Sequence, residues 1–241
     1  MNIVLIPGFW LDGDSWGEVT TVLREHGHGV TALTLPGLER DDAANAAKPA
    51  KPGIDRSTIC LRDHVDAVVA AVDASDVPVV LVGHSGGGAL AHGAVDARPD
   101  RVARVVYVDS GPLAHGGVIN DELPAVDGVI PLPDWSVFDE PDLTDLDDAA
   151  REHFRSIAHP QPVHVATDAL ELRDPRRFDV PVTVICCEFP ADMLRQFMAE
   201  DHPYTAELAR IRDRELVDLP TGHWPQFTKP RQLAETILAA L

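Results

Sequence analysis

Val79 to Ala94 reads VVLVGHSGGGALAHGA, and the fold turns on how this stretch is read. Val79, Val80, Leu81 and Val82 form an apolar, mostly β-branched run that reads as a buried strand. It leads into Gly83-His84-Ser85-Gly86-Gly87, which fits G-x-S-x-G. Ala89, Leu90, Ala91 and Ala94 continue as helix until Pro99. A strand, a tight turn with serine at its apex and a helix form the context that gives this motif meaning. Serine on so sharp a turn sits in strained backbone, and its neighbours two positions away must avoid a Cβ clash, hence Gly83 and Gly87. The turn lifts the hydroxyl out of the fold at a helix N-terminus, where partial positive charge favours an oxyanion. The rival reading is a Gly-rich phosphate loop. It is disfavoured because neither G-x-x-x-x-G-K-[ST] nor G-x-G-x-x-G is present.

Outward from this stretch the chain alternates. Ile3 to Ile6 reads as a short strand ending at Pro7-Gly8-Phe9-Trp10. Ser15-x-x-Glu18 reads as a capping box, with Trp16, Val19, Val22 and Leu23 at helical spacing behind it. Val30 to Leu35 reads as a second strand. Leu38 to Arg56, rich in Ala, Asp, Lys and Pro, reads as a mobile surface excursion. Leu61, Val65, Val68, Val69 and Val72 mark an amphipathic helix whose polar side carries His64. Val102 to Val108 is the strand after the elbow helix, closed by Asp109-Ser110-Gly111-Pro112. The order βαβαβαβ predicts an α/β fold, a mostly parallel sheet with right-handed crossovers and flanking helices.

Alternation then stops. From Leu113 to about Asp179 no strand is legible, which is too long for a plain connection. Leu146, Ala149, Ala150, Phe154 and Ile157 predict one helix, and Ala169 to Leu172 a short second. We expect a small helical lid over 113–179, inserted after the fourth strand into a core of 1–112 and 180–241. The rival is a disordered insert, disfavoured by Trp135, Phe138 and Phe154. Val180 to Cys187 and Leu216 to Leu219 read as the last strands. Helices are expected around Met193 to Met198, Tyr204 to Ile211 and Pro230 to Leu241.

Composition sets outer bounds. The chain has 241 residues and a formal net charge of −19. That charge argues against nucleic acid and anionic membrane as partners. No apolar run approaches a membrane span and no basic leader precedes the first strand. Cys60, Cys186 and Cys187 suggest no disulfide framework, so a reducing cytoplasm is expected. No H-E-x-x-H, C-x-x-C or Walker loop implies a metal or organic cofactor.

A serine at its free pKa is a weak nucleophile and needs a base, which a third group must orient. Of eleven histidines, His223 alone combines the order Ser…Asp/Glu…His with a place on a Gly-containing loop after the last strand. Parallel strands share their C-terminal ends, so His223 and Ser85 are expected on one sheet edge. The oxyanion donors are expected to be the N–H groups of Gly86 and Phe9.

These segments together resemble the α/β-hydrolase superfamily over Asn2 to Pro112 and Val180 to Leu241. The resemblance rests on Ile6-Pro7-Gly8, Trp16, Leu35-Pro36-Gly37, the Ser85 elbow, Pro99-x-Arg101-Val102 and Gly222-His223. The chain is most similar to the branch of small serine esterases and hydroxynitrile lyases, with Pro7 where that branch usually has His. The resemblance implies a triad acid just after Val180 to Cys187, but Phe189 and Pro190 cannot serve there. Some relatives carry the acid after the preceding strand, which here is Asp109. Asp109 is therefore the first choice, Asp192 the second, and Glu188 or a missing acid the third.

The function implied is hydrolysis of a carboxylic ester or lactone. The substrate is expected to be small to medium and largely apolar, held among Phe9, Trp10, His84, Trp135 and Trp224. The rivals are a hydroxynitrile-lyase-like or C–C-cleaving enzyme and a weakly catalytic ligand-binding protein. The lyase reading needs a lysine near the pocket, and Lys48, Lys51 and Lys229 are poorly placed for it. A monomer or homodimer is expected.

Overall fold

The computed structural model describes residues 1–39 and 55–241. Most of the excursion expected over 38–56, with Lys48 and Lys51, lies outside the described residues. The elements in chain order are β1 (Asn2–Ile6), α1 (Gly17–Glu25), β2 (Gly29–Ala32), α2 (Leu61–Asp73), β3 (Val79–His84), α3 (Gly86–Ala97) and β4 (Val102–Val108). Then come β5 (Val129–Ile130), α4 (Asp148–Ile157), β6 (Gln161–Pro162), α5 (Val163–Thr167) and β7 (Val182–Cys186). The chain closes with α6 (Ala191–Ala199), α7 (Ala206–Arg210), β8 (Arg214–Asp218), α8 (Pro225–Thr228) and α9 (Pro230–Ala239).

The main sheet runs β2-β1-β3-β4-β7-β8, parallel throughout. Its central strands are covered on both faces, which is why they read as continuous apolar runs rather than alternating ones. Successive side chains still divide between the faces. Val4, Ile6, Leu81, Val105, Tyr107 and Val184 join one core with α2, α3 and part of 113–179. Ile3, Leu5, Val80, Val82, Val106 and Ile185 join the other with Trp16, α1 and α9. Cys186 and Cys187 fall one on each side, and all three cysteines are free. Among the described residues no helix is long and apolar enough to cross a membrane.

Several local expectations need correction. The capping box at Ser15 is not formed. Asp12 instead caps a 3-10 turn, Gly13–Trp16, by accepting from the Asp14 N–H at 3.0 Å, and Ser15 Oγ donates to Asp12 O at 2.6 Å. The second strand stops at Ala32, short of Leu35. The segment 113–179 does contain a sheet element, the antiparallel pair β5 and β6. Two-residue strands, one ending in proline, are too short to write a periodicity. The short second helix sits at Val163–Thr167, not 169–172, because it starts directly after Pro162 and stops at Asp168.

Rings dock this segment onto the core. Trp224 packs edge-on against Trp135, Phe138 and Phe154, with centroids 5.2 to 5.9 Å apart. Trp10 meets Phe138 at 5.9 Å, and its indole N–H donates to Ile130 O at 3.1 Å. Edge-to-face pairs of this kind add roughly 0.5–1.5 kcal/mol each beyond burial.

Candidate active site

The elbow forms as its glycines require. Ser85 has φ 52°, a left-handed backbone that a side chain rarely adopts. A Cβ on Gly83 would come within 2.6 Å of Gly87 O, and one on Gly87 within 2.6 Å of Ile6 O and Pro7 O. The β1 loop therefore lies directly against the turn. Gly8 faces the Ser85 side chain, and the Phe9 ring covers Gly86. Among the described residues, neither the Phe9 nor the Gly86 N–H has a protein acceptor.

Ser85 follows β3 and Asp109 follows β4, strands paired in register up to His84 and Val108. Asp109 is likewise in left-handed backbone, φ 45°. His223 follows β8 by a short loop. It stands 2.9 Å from Ser85 Oγ through Nε2 and 2.7 Å from Asp109 Oδ2 through Nδ1. The other Asp109 oxygen accepts from the Cys187 N–H at 2.9 Å and the Glu188 N–H at 3.2 Å. A carboxylate can only accept, so Nδ1 carries the hydrogen and Nε2 is left to receive the serine proton.

Asp192 is elsewhere. It is 90% exposed and pairs with Arg195 at 2.7 Å along α6. Glu188 lies nearer, with Oε2 3.7 Å from His223 Nδ1. Burial, a hydrogen bond to Asp142 and the charges of Asp109, Asp142 and Asp139 push its carboxyl up to about 9. Asp109, Glu188 and His223 bring one potential ligand atom each within 4.8 Å of one another. Both Asp109 oxygens are already taken by N–H donors, so this is a hydrogen-bonded acid–base group rather than an open coordination sphere.

The other histidines have structural surroundings. His84 is fully buried behind the imidazole and donates through Nε2 to His223 O at 2.6 Å. Burial, with His223 beside it, drives its pKa down to about 3, so it stays neutral. His64, expected on the polar side of its helix, is buried, because α5 packs against α2. Its Nε2 bonds Pro36 O at 2.8 Å. His92 is held between Tyr107 Oη at 2.9 Å and Glu207 Oε1 at 3.1 Å.

A cavity of about 520 Å³ opens over Ser85 and His223. Its walls include Ala89, Leu113, Ile119, Tyr204, Glu188 and Glu207. The expected aromatic wall is not there. Among the described residues, Phe9, Trp10, His84, Trp135 and Trp224 do not line this space. Trp10 and Trp224 are spent in the ring cluster, where burial of so much apolar area holds them. Trp135 faces a separate groove with Ser136, Phe138 and Arg151. The walls are also more polar than expected, since Asp109, Glu188, Glu207 and Tyr204 all contribute. Tyr204 and Glu207 carry no motif in the sequence, and only the fold brings them to Ser85. Lys229 binds Pro220 O and stands 3.4 Å from Asp145, and it is not among the lining residues.

A serine, an imidazole and a carboxylate in this order can make and break an acyl bond. Comparison with known proteins agrees with that class. The model of the alpha/beta hydrolase family matches residues 3–236. The chain is 27% identical over 124 residues to a carbendazim hydrolyzing esterase of Nocardioides sp. (strain SG-4G), covering 51% of this chain and 47% of that one. It is 36% identical over 108 residues to esterase PIR7B of Oryza sativa subsp. japonica, covering 44% and 37%. These matches span less than half the length of either relative. In three dimensions it resembles an extracellular alpha/beta-hydrolase from a Paenibacillus species, with a TM-score of 0.75 at 21% identity over 100% of this chain and 98% of that one. It also resembles the methylesterase MES16 of Arabidopsis, with a TM-score of 0.70 at 18% identity over 100% and 98%. Sheet order, elbow and family match agree: the chain belongs to the α/β-hydrolase family.

Proposed function

We propose that this chain is a serine esterase acting on carboxylic esters or lactones of small to medium size. The observation that carries the reading is the relay from Ser85 Oγ to His223 Nε2 at 2.9 Å and from Nδ1 to Asp109 at 2.7 Å. Ser85 Oγ attacks the carbonyl carbon as His223 Nε2 takes its proton. Negative charge collects on the former carbonyl oxygen. The Phe9 and Gly86 N–H groups receive it, each contributing about 3 kcal/mol, and the α3 N-terminus adds to their field. The intermediate collapses, and the leaving alkoxide takes the proton from His223. Water, deprotonated by His223, then attacks the acyl carbon, and Ser85 leaves with that proton. Asp109 holds the imidazole throughout and stabilises its charged form.

The esterase names of the sequence relatives support this class. Segment 113–179, which supplies Leu113 and Ile119 to the cavity wall, serves in this reading as a lid. The mixed walls suit a substrate with both apolar and hydrogen-bonding parts.

The test is Ser85→Ala, assayed on aryl esters of graded chain length with folding followed by circular dichroism. The reading predicts loss of turnover with the fold intact. Loss of less than tenfold in kcat would mean that another group is the nucleophile.

A further inference from the structure

From one wall of the cavity a chain of buried polar groups runs into the core. Tyr107 on β4, His92 on α3, Glu207 on α7 and Arg177 in the 3-10 turn Pro175–Asp179 are all buried. Tyr107 Oη stands 2.9 Å from His92 Nδ1, and His92 Nε2 stands 3.1 Å from Glu207 Oε1. Burial lowers the His92 pKa and raises that of Tyr107, so the imidazole is neutral and the phenol keeps its proton. The order of donors follows. A carboxylate only accepts, so His92 Nε2 carries the hydrogen, and Nδ1 accepts from Tyr107. Burial raises the Glu207 carboxyl, but hydrogen bonds from His92 and Arg177 outweigh it and hold the group below its ordinary range.

All of these donors engage one oxygen. Arg177 Nε donates to the same Oε1 at 2.8 Å. An arginine that served only to pair with Glu207 could take both oxygens as a fork. Arg177 instead turns Nη1 to Asp174 O at 3.0 Å and to Asp96 Oδ1 at 3.3 Å. Glu207 Oε2 accepts no hydrogen bond among the described residues, and Arg210, itself exposed, stands 3.7 Å from it. Glu207 lines the cavity over Ser85 together with Asp109 and Glu188, and among the described residues no lysine or arginine lines it. Asp109 has both oxygens engaged by N–H donors, so Glu207 is the ionised wall group with an acceptor to spare.

We propose that Glu207 is a specificity-determining residue whose Oε2 receives a protonated amine carried by the ester, away from the scissile carbonyl. This inference rests on the esterase reading above and names a substrate class for it. A protonated amine is positive and only donates, which complements an oxygen that only accepts, in a wall that no lysine or arginine lines. Ala89, Leu113 and Ile119 line the same cavity and suit an apolar spacer between amine and ester. Because His92 and Arg177 fix the carboxylate beforehand, little side-chain order remains to be lost when substrate binds.

The test compares kcat/KM at neutral pH for aryl esters of straight-chain acids ending in an amine, a hydroxyl or a methyl group, matched in length, over a series of chain lengths. A second series carries the same end groups on the alcohol, with hydrolysis followed by acid release. In the wild type the ammonium ester should exceed its methyl counterpart by about tenfold or more in one of the two series, the scale of one hydrogen bond to a charged group. Glu207→Gln keeps an oxygen for Arg177 and His92 but turns an amide N–H toward the cavity, so the ratio should fall to near unity. A purely structural Glu207 would scale both esters alike and leave the ratio where it was. A smaller wild-type ratio in both series, a hydroxyl ester preferred over the ammonium ester, or a Glu207→Gln that keeps more than half of the ratio would overturn the proposal. Should Glu207→Gln not fold, Glu207→Asp, which withdraws the carboxylate by one methylene, should lower the ratio in its place. Ser85→Ala is run beside them. Its retention of turnover would defeat the esterase reading itself, whereas a dead Ser85→Ala in a chain with no ammonium preference defeats only this inference.

Discussion

The ends of β4 and β7 are neighbours in the sheet, and each carries an acid. At the end of β4, Asp109 accepts three hydrogen bonds, one from His223 and two from the backbone N–H groups of Cys187 and Glu188. At the end of β7, Glu188 faces other carboxyl groups, and burial with their charges pushes its pKa up to about 9. The same functional group thus stands in opposite surroundings a few ångströms apart. The difference lies in which donors the backbone presents. The turn after β7 points its N–H groups at Asp109, so Asp109 is solvated by the protein and Glu188 is not. A carboxylate in the first setting can support an imidazolium. A carboxylic acid in the second can donate a hydrogen bond.

The largest effect should come from removing the charge at the end of β4. Asp109→Asn keeps the shape but favours the wrong His223 tautomer, and kcat on an aryl ester should fall by about 10⁴, the scale of the same change in a serine protease. If Asp109→Asn stays within tenfold of wild type, the imidazole is oriented by something else. Gly222→Ala should push Asp142 and Thr144, whose carbonyls accept from the His223 loop, away from it and cost about 1–3 kcal/mol in urea unfolding. Unchanged stability would mean that the segment around Asp142 and Thr144 yields freely.

A smaller effect concerns stability against pH. Glu188 has a raised pKa in the folded chain, so its contribution to stability is full below the ordinary carboxylate range. It erodes as pH rises from there toward about 9, where the folded group also ionises. Glu188→Gln should therefore flatten the decline in stability across that window, read as Tm at several pH values. An equal slope in both proteins would show that other groups cause it. The smallest effect belongs to Asp192, which is 90% exposed and pairs with Arg195. Asp192→Asn should leave kcat within about twofold and stability within about 0.5 kcal/mol.

The same contrast explains what could be read from the sequence. Parallel strands covered on both faces are largely apolar, so Val79–Val82 and Val102–Val108, the latter with Arg104 inside it, are legible as strands, and the order of strands and helices follows. Ser85 and His223 were legible because a strained turn needs its glycines and because strand ends share one edge. The acid was harder. Asp109 and Asp192 both follow strands, and only the pairing of β4 with β7 decides which one reaches Nδ1. The pocket was misread for a related reason. Phe9, Trp10 and Trp224 advertise apolar area but not its direction, and the fold turns Trp10 and Trp224 into the ring cluster that docks 113–179. Tyr204 and Glu207 reach the cavity across long stretches of chain, and no local pattern encodes that. His64 sits on the polar side of its own helix, yet the turn at Pro36 and the helix α5 bury it.

The esterase reading depends on Ser85 forming a covalent acyl bond. The direct measurement is to treat the chain with an aryl phosphonate ester, digest it and read the mass of the peptide that contains Ser85. The account predicts one phosphonyl group on Ser85, loss of ester turnover in step with labelling, and labelling slowed by Asp109→Asn as strongly as turnover is. An unmodified Ser85 peptide in a chain that still hydrolyses esters, or label found on a different residue, would contradict it.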